Sequence, residues 1–359
     1  MNSRRWASIL VVGVVLAACG GEASPDTVAQ NPVDDQSLVI SNWEGYMPED
    51  LPEVFDTATG YSATVSFHAT NEEIVGKISA SGGEGFDVAF VSGQFAQALA
   101  EQGLLAQIDH DKVPNLANLY PEATELGYDP GNEYSVPYAW GTTGLCYRSD
   151  LLSEAPTSWM DLLRPSDEAT GKTTMLATER WLMLPAQKAL GYSVNTTDES
   201  EMNEVKDLLI EAKGTLLAYD DTTFYAKLVS GEAVMVEAWD GWCNYGIAED
   251  PNIAYVIPDE GTDLWVDTMV IMGTSANLDA AHAFIDFVLD AENHAWVVEN
   301  ILYKVPNQAA MEMVDPSLFE AFPNLGMSAS EVLSGEALLD LGDAQPMYTD
   351  IATEVAAGG

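Results

Sequence analysis

Residues 37–103, SLVISNWEGYMPEDLPEVFDTATGYSATVSFHATNEEIVGKISASGGEGFDVAFVSGQFAQALAEQG, decide the fold class. Leu38-Val39-Ile40 reads as a buried strand, Glu49–Thr57 as a short helix stopped by Gly60, and Ser62–His68 as a strand with period-two alternation. Asn71 reads as the cap of a helix over Glu72–Ser81. Phe86–Val91 is a further buried strand, and the helix Gln94–Gln102 ends at Gly103. Strands alternating with helices predict an α/β architecture with a largely parallel sheet. In such sheets ligands sit beyond the C-terminal ends of the strands, which makes Asn42-Trp43-Glu44-Gly45-Tyr46 and Ser92-Gly93-Gln94 candidate site segments.

Working outward, Val136–Gly144 reads as a crossover into a second α/β unit. That unit holds a capped start at Thr157-Ser158-Trp159, strands Thr173–Ala177 and Ala233–Ala238, and helices Glu201–Lys213 and Tyr225–Val229. Two more strand-like runs, Ile253–Pro258 and Met269–Met272, flank Leu264-Trp265-Val266-Asp267-Thr268. On extended backbone residues i and i+2 share a face, so Trp265 and Asp267 offer an indole and a carboxylate to one space. That pair suits an organic cation, because an ammonium over an indole gains about 0.5–2 kcal/mol and a buried cation requires a partner. Trp239-Asp240 repeats the pairing after a strand-like run. Asp279–Leu289 and Glu292–Asn300 read as amphipathic helices, and Pro346–Ala357 as a closing helix.

The 359 residues suggest roughly two domains, and 13 Lys and Arg against 57 Asp and Glu give a net charge of −44. Nucleic acid is thereby disfavoured as a partner. The acidity has two readings, a surface adapted to a saline habitat or a field that steers a cation into a cleft. Met1–Cys19 has the charge and apolar pattern of an export signal, and Leu16-Ala17-Ala18-Cys19 resembles a bacterial lipobox, which makes Cys19 an expected lipid anchor. Residues 20–36 read as a flexible tether. No other run approaches the ~20 apolar residues of a spanning helix, so the membrane is met only through the anchor. Cys146 and Cys243 form either a disulfide, as export permits, or two buried thiols. The four histidines lack metal-ligand spacing, no nucleophile elbow or phosphate loop occurs, and neither enzyme activity nor a cofactor is expected. Trp159, Trp242 and Trp296 read as packing residues.

Seven collinear motifs carry a resemblance: Asn42-Trp43 with Tyr46; Tyr134–Gly141; Thr157–Leu162; Leu190-Gly191-Tyr192-Ser193 with Asn195-Thr196-Thr197; Gly231-Glu232 leading to Trp239; Glu260-Gly261 leading to Trp265 and Asp267; and Tyr303 with Pro306-Asn307. Together they resemble the periplasmic spermidine/putrescine-binding proteins, the solute receptors of polyamine ABC importers. The resemblance implies a two-lobed periplasmic binding protein fold of type II. Its lobes would be residues 37–140 with about 266–312, and 141–265 with about 313–359, joined by hinge crossovers. It places Trp43, Tyr46, Ser92, Trp239, Trp265, Asp267 and Tyr303 in a ligand cleft. Two further carboxylates expected after the strand Thr173–Ala177 are replaced by Thr178 and Trp181. Glu179, Trp181, Glu44 and Asp240 are therefore added as candidate ligand contacts. The implied function is a monomeric extracytoplasmic receptor, held at the cell envelope in the periplasm. It would pass a small organic cation, foremost putrescine or spermidine, to ABC permease subunits. A receptor for a monocationic or quaternary ammonium compound, and a ligand-presenting sensor without transport, stand as alternatives.

Overall fold

In a computed structural model, described over Ser37–Gly358, eleven strands among the described residues form two mixed sheets. The expected leader 1–19 with Cys19 and the tether 20–36 lie outside the described residues. The first sheet begins with β1 (Ser37–Trp43), β2 (Ser62–His68), β3 (Val88–Ser92) and β4 (Ser135–Gly141). The chain then enters a second sheet of β5 (Thr143–Arg148), β6 (Thr173–Met175), β7 (Ala218–Tyr219), β8 (Met235–Trp239) and β9 (Ile253–Val256). It returns to the first sheet as β10 (Asp263–Ile271), on whose start β11 (Glu336–Ala337) pairs.

Strands joined by helical crossovers run parallel, β1 beside β2 and β3, and β6 beside β7 and β8. β10 lies antiparallel to β3 and β4, and β5 antiparallel to β8 and β9. Both faces of the first sheet are covered, as β3 makes plain. Val88 and Phe90 pack with Leu38, Ile40 and Phe55, whereas Ala89 and Val91 pack with Ile74, Ile78 and Leu99 of the opposite layer. Period-two alternation thus feeds two cores from one five-residue strand.

Some boundaries differ from expectation for local reasons. The first helix runs Leu51–Thr59 rather than Glu49–Thr57, with Asp50 at its N-cap, a proline in its first turn and left-handed Gly60 ending it. Asn71 is not the cap of its helix. Thr70 takes that place by accepting the Glu73 amide at 3.1 Å, which leaves Asn71 as a buried first residue. Helices Glu179–Leu190 and Asp240–Glu249 had no legible pattern. The first holds Pro185 in its interior and the second holds Gly241 and Gly246, all poor helix formers.

The two strand-like runs around Leu264–Thr268 prove to be separate in kind. β9 stops at Val256, and β10 passes straight through Trp265 and Asp267 to Ile271. Asp267 does not break the strand because its carboxylate is satisfied locally and a bulge follows it between Asp267 and Thr268. The chain crosses between the sheets at Thr142 and at 257–262. Cys146 of β5 and Cys243 of the following helix form a disulfide, closing a separation of 97 residues. No helix among the described residues is long and apolar enough to cross a membrane.

Candidate ligand-binding site

The C-terminal edges of both sheets point into one cavity of about 720 Å³. From the first sheet come Trp43 at the end of β1 with Glu44 and Tyr46 beyond it, His68 at the end of β2 with Asn71 beyond it, and Ser92 at the end of β3. From the second come Thr178 and Trp181 after β6, Asp221 after β7, and Trp239, Trp242 and Tyr245 at and beyond the end of β8. β10 contributes Trp265 and Asp267 from one face, and Tyr303 follows the helix Ala291–Ile301.

Asp267 is built into a polar relay. Its two oxygens accept from Tyr46 Oη at 2.8 Å and Ser92 Oγ at 2.6 Å. Asn71 in turn donates to Ser92 Oγ at 3.0 Å and accepts the Ser92 amide at 2.9 Å. The relay follows from register, since Asp267 lies opposite Ser92 across β10 and β3. Burial pushes the Asp267 carboxyl up to about 6, against the pull of the two hydroxyl donors. Among the described residues no Lys or Arg pairs with it. A carboxylate so placed, facing a cavity, is chemically able to pair with a cation that enters it.

The walls are aromatic and continuous. Edge-on contacts link Trp43 to Tyr46 at 5.5 Å, Tyr46 to Tyr303 at 5.4 Å, and Tyr303 to Trp265 at 5.6 Å. Tyr245 joins Tyr303 to Trp242, and Trp239 joins Trp242 to Trp181. Edge-to-face packing leaves ring faces for a guest. Trp181 is oriented by Asp263, whose Oδ2 accepts its indole N–H at 2.9 Å while Oδ1 accepts the Thr143 amide at 2.9 Å. Two glycines allow the close packing. A Cβ on Gly141 would meet Trp265 Cζ2 at 2.3 Å, and one on Gly241 would meet Tyr303 Cδ1 at 2.3 Å.

Of the candidate residues, Trp43, Glu44, Tyr46, Ser92, Trp181, Trp239, Trp265, Asp267 and Tyr303 line this cavity, with Glu44 exposed at its rim. Two do not. Asp240 lies behind the cleft against Gly141, with its carboxylate on the Gly241 amide and toward Lys304, because its helix starts there and turns it inward. Glu179 faces an adjoining groove and accepts from Gln345 at 2.5 Å. Trp242, read as packing, lines the cavity instead. Its spacing with Trp239 and Tyr245, three residues apart each, is the helical signal that would have found it. His68, Asn71, Asp221 and Asp263 were also missed. Asp221 follows a strand of only two residues, too short to read as one.

Residues 53–316 match the family model described as bacterial extracellular solute-binding protein. The spermidine/putrescine-binding periplasmic protein of Salmonella typhimurium is 30% identical over 90% of this chain and 93% of its own. The putrescine/cadaverine-binding protein of Pseudomonas aeruginosa is 28% identical over 79% of this chain and 83% of its own. Among solved structures, the spermidine/putrescine ABC transporter substrate-binding protein PotD of Streptococcus pneumoniae superposes with a TM-score of 0.78 at 28% identity, covering 90% of this chain and 99% of that one. The TpPotD lipoprotein of Treponema pallidum gives 0.81 at 26% identity, over 89% and 99%.

Proposed function

The chain belongs to the bacterial extracellular solute-binding proteins, and on that premise we propose that it is the receptor of an ABC importer for a cationic amine. The amine is foremost a polyamine of the putrescine and spermidine class. One observation carries the reading: Asp267, held by Tyr46 and Ser92 and paired with no Lys or Arg among the described residues, lies among indole and phenol rings. An ammonium there gains a charge-assisted hydrogen bond, and the attached methylenes gain contact with ring faces. No bond of the ligand is broken. Trp43, Tyr46, Trp181, Trp239, Trp265 and Tyr303 are the proposed walls, Ser92 the positioning hydroxyl and Glu44 a rim charge. The lobes proposed to close on the ligand are residues 37–140 with about 266–312, and 141–265 with about 313–359. The names of the relatives support a periplasmic setting, to which we add anchoring through lipid on Cys19, a monomeric state and transfer to permease subunits.

Micromolar affinity requires about −8 kcal/mol, within reach of one enclosed ion pair and several ring contacts. The test is a thermal-shift panel of putrescine, spermidine, choline and betaine, followed by calorimetric titration of the hits. Stabilisation by the diamine or triamine is the expected result. A second reading has its own support, because Trp181, Trp239 and Trp242 gather at one end of the cavity and such ring sets hold methylated ammonium groups. Stabilisation by choline or betaine alone would favour it and overturn the polyamine reading.

A further inference from the structure

Both passages of the chain between the sheets end on one buried carboxylate. The crossover at Thr142 delivers Thr143 as the first residue of β5, and the crossover at 257–262 delivers Asp263 as the first residue of β10. Thr143 pairs on one side with Trp239 of β8. On its other side β9 pairs only from Leu145 onward, so the N–H and C=O of Thr143 need partners from elsewhere. Residues 262 and 263 supply both. Asp263 Oδ1 accepts the Thr143 amide at 2.9 Å, and the Thr262 hydroxyl donates to the Thr143 carbonyl.

The same carboxylate reaches the wall of the cavity without lining it. Its Oδ2 accepts the indole N–H of Trp181 at 2.9 Å, and Trp181 faces the cavity from the first turn of the helix Glu179–Leu190. Asp263 is fully buried, and among the described residues no Lys or Arg pairs with it. Burial raises its carboxyl, while the hydrogen bonds from Thr143, Thr262 and Trp181 pull it back.

This bracket has little room to yield. β11 lies so close that a Cβ on Gly335 would meet the Asp263 carbonyl oxygen at 2.2 Å. Neither N–H can be released cheaply, because a buried donor left without a partner is disfavoured. The indole on one oxygen and the first crossover on the other are therefore held by one rigid group, which itself begins where the second crossover ends.

We propose that Asp263 is a positioning residue that couples ligand contact on Trp181 to both crossovers. A ligand packed on the indole restricts the ring, the ring restricts the carboxylate, and the carboxylate holds Thr143 and the start of β10. Affinity then depends on a group that the ligand does not touch. This inference rests on the reading that the cleft takes a cationic amine, and the experiment separates the two. The full chain and its D263N, W181F and D263N/W181F variants are titrated calorimetrically with spermidine and with choline. The Asn side chain of D263N has one acceptor for two N–H donors, so its own NH2 is turned on one of them, and W181F removes that conflict. D263N should weaken Kd about tenfold in the otherwise unmodified chain, and by no more than about twofold when added to W181F. Equal losses in both backgrounds, or an unchanged Kd in D263N, overturn the coupling and leave the cationic-amine reading standing. Failure of the unmodified protein to bind either compound overturns both. Should D263N fold poorly, hydrogen exchange at the Thr143 amide decides. Saturating ligand should slow it about tenfold in the full chain and leave it unslowed in W181F, while the Ser92 amide, held by Asn71, slows in both. Slowing at Thr143 that is absent from the full chain, or retained in W181F, overturns the coupling.

Discussion

Replacing Asp267 by Asn is expected to move stability and affinity in opposite directions. In the ligand-free protein the carboxyl sits at about 6, raised by burial above its ordinary value of 3.8. At pH 7.5 the ionised form is therefore held at an expense of up to about 3 kcal/mol relative to the unfolded chain, each tenfold change in proton affinity being worth about 1.4 kcal/mol. This is an upper limit, since Asp267 is only partly buried. Asn removes the charge while keeping one oxygen for the Tyr46 or Ser92 hydroxyl, so the ligand-free variant should melt higher or unchanged. Binding should suffer. Removing one partner of an enclosed charge pair costs about 2–5 kcal/mol, because the other charge remains buried and unpaired. A loss of about 3 kcal/mol is roughly 150-fold in Kd. Differential scanning calorimetry without ligand and isothermal titration with the best amine from the panel measure the two effects. A variant that melts lower and binds with unaltered Kd would refute the assignment of Asp267 as anionic anchor, leaving it a structural residue.

The raised carboxyl also sets a pH dependence. Because it binds protons more tightly in the native state, that state holds more protons than the unfolded one between about pH 4 and 6, and ligand-free stability should fall as pH rises through that window. Amine affinity should do the reverse, weakening nearly tenfold per pH unit below about pH 6, with the dependence abolished in D267N. In the G241A variant the new Cβ would lie 2.3 Å from the Tyr303 ring, and that buried ring must shift. A loss of about 1–3 kcal/mol in stability, seen by denaturant titration, should accompany a measurable drop in affinity. Replacing Cys146 and Cys243 together by Ser should lower stability by about 2–5 kcal/mol, because the bridge closes a span of 97 residues. Amine Kd measured by titration should hold, since both cysteines are fully buried away from the cleft.

Much of the fold was legible in sequence because its signals are local. Alternation in Ser62–His68 and the left-handed glycine after the first helix depend on neighbours a few residues away. Trp265 and Asp267 were readable as a pair for the same reason, since sharing one strand face is a property of two positions. Trp239-Asp240 looked equivalent and was not. Whether an acid at a strand end faces a cleft or turns behind it depends on the helix that begins there, and that helix was hidden by its glycines. Asn71 shows the converse, a residue that looked like a local cap and proved to be the far end of a relay through Ser92.

By itself, then, the sequence determined the alternation of strands and helices, the acidic charge, and the indole–carboxylate pair on one extended segment. These are matters of composition and short-range periodicity. Tertiary structure alone decided that the C-terminal edges of two sheets share one cavity, and that Cys146 and Cys243 are bridged. It alone decided that Glu72, Glu179 and Asp221 line one groove. The physical reason is separation along the chain. Glu72 and Asp221, 149 positions apart, meet there through sheet register and crossover geometry, and no local propensity encodes where such crossovers return.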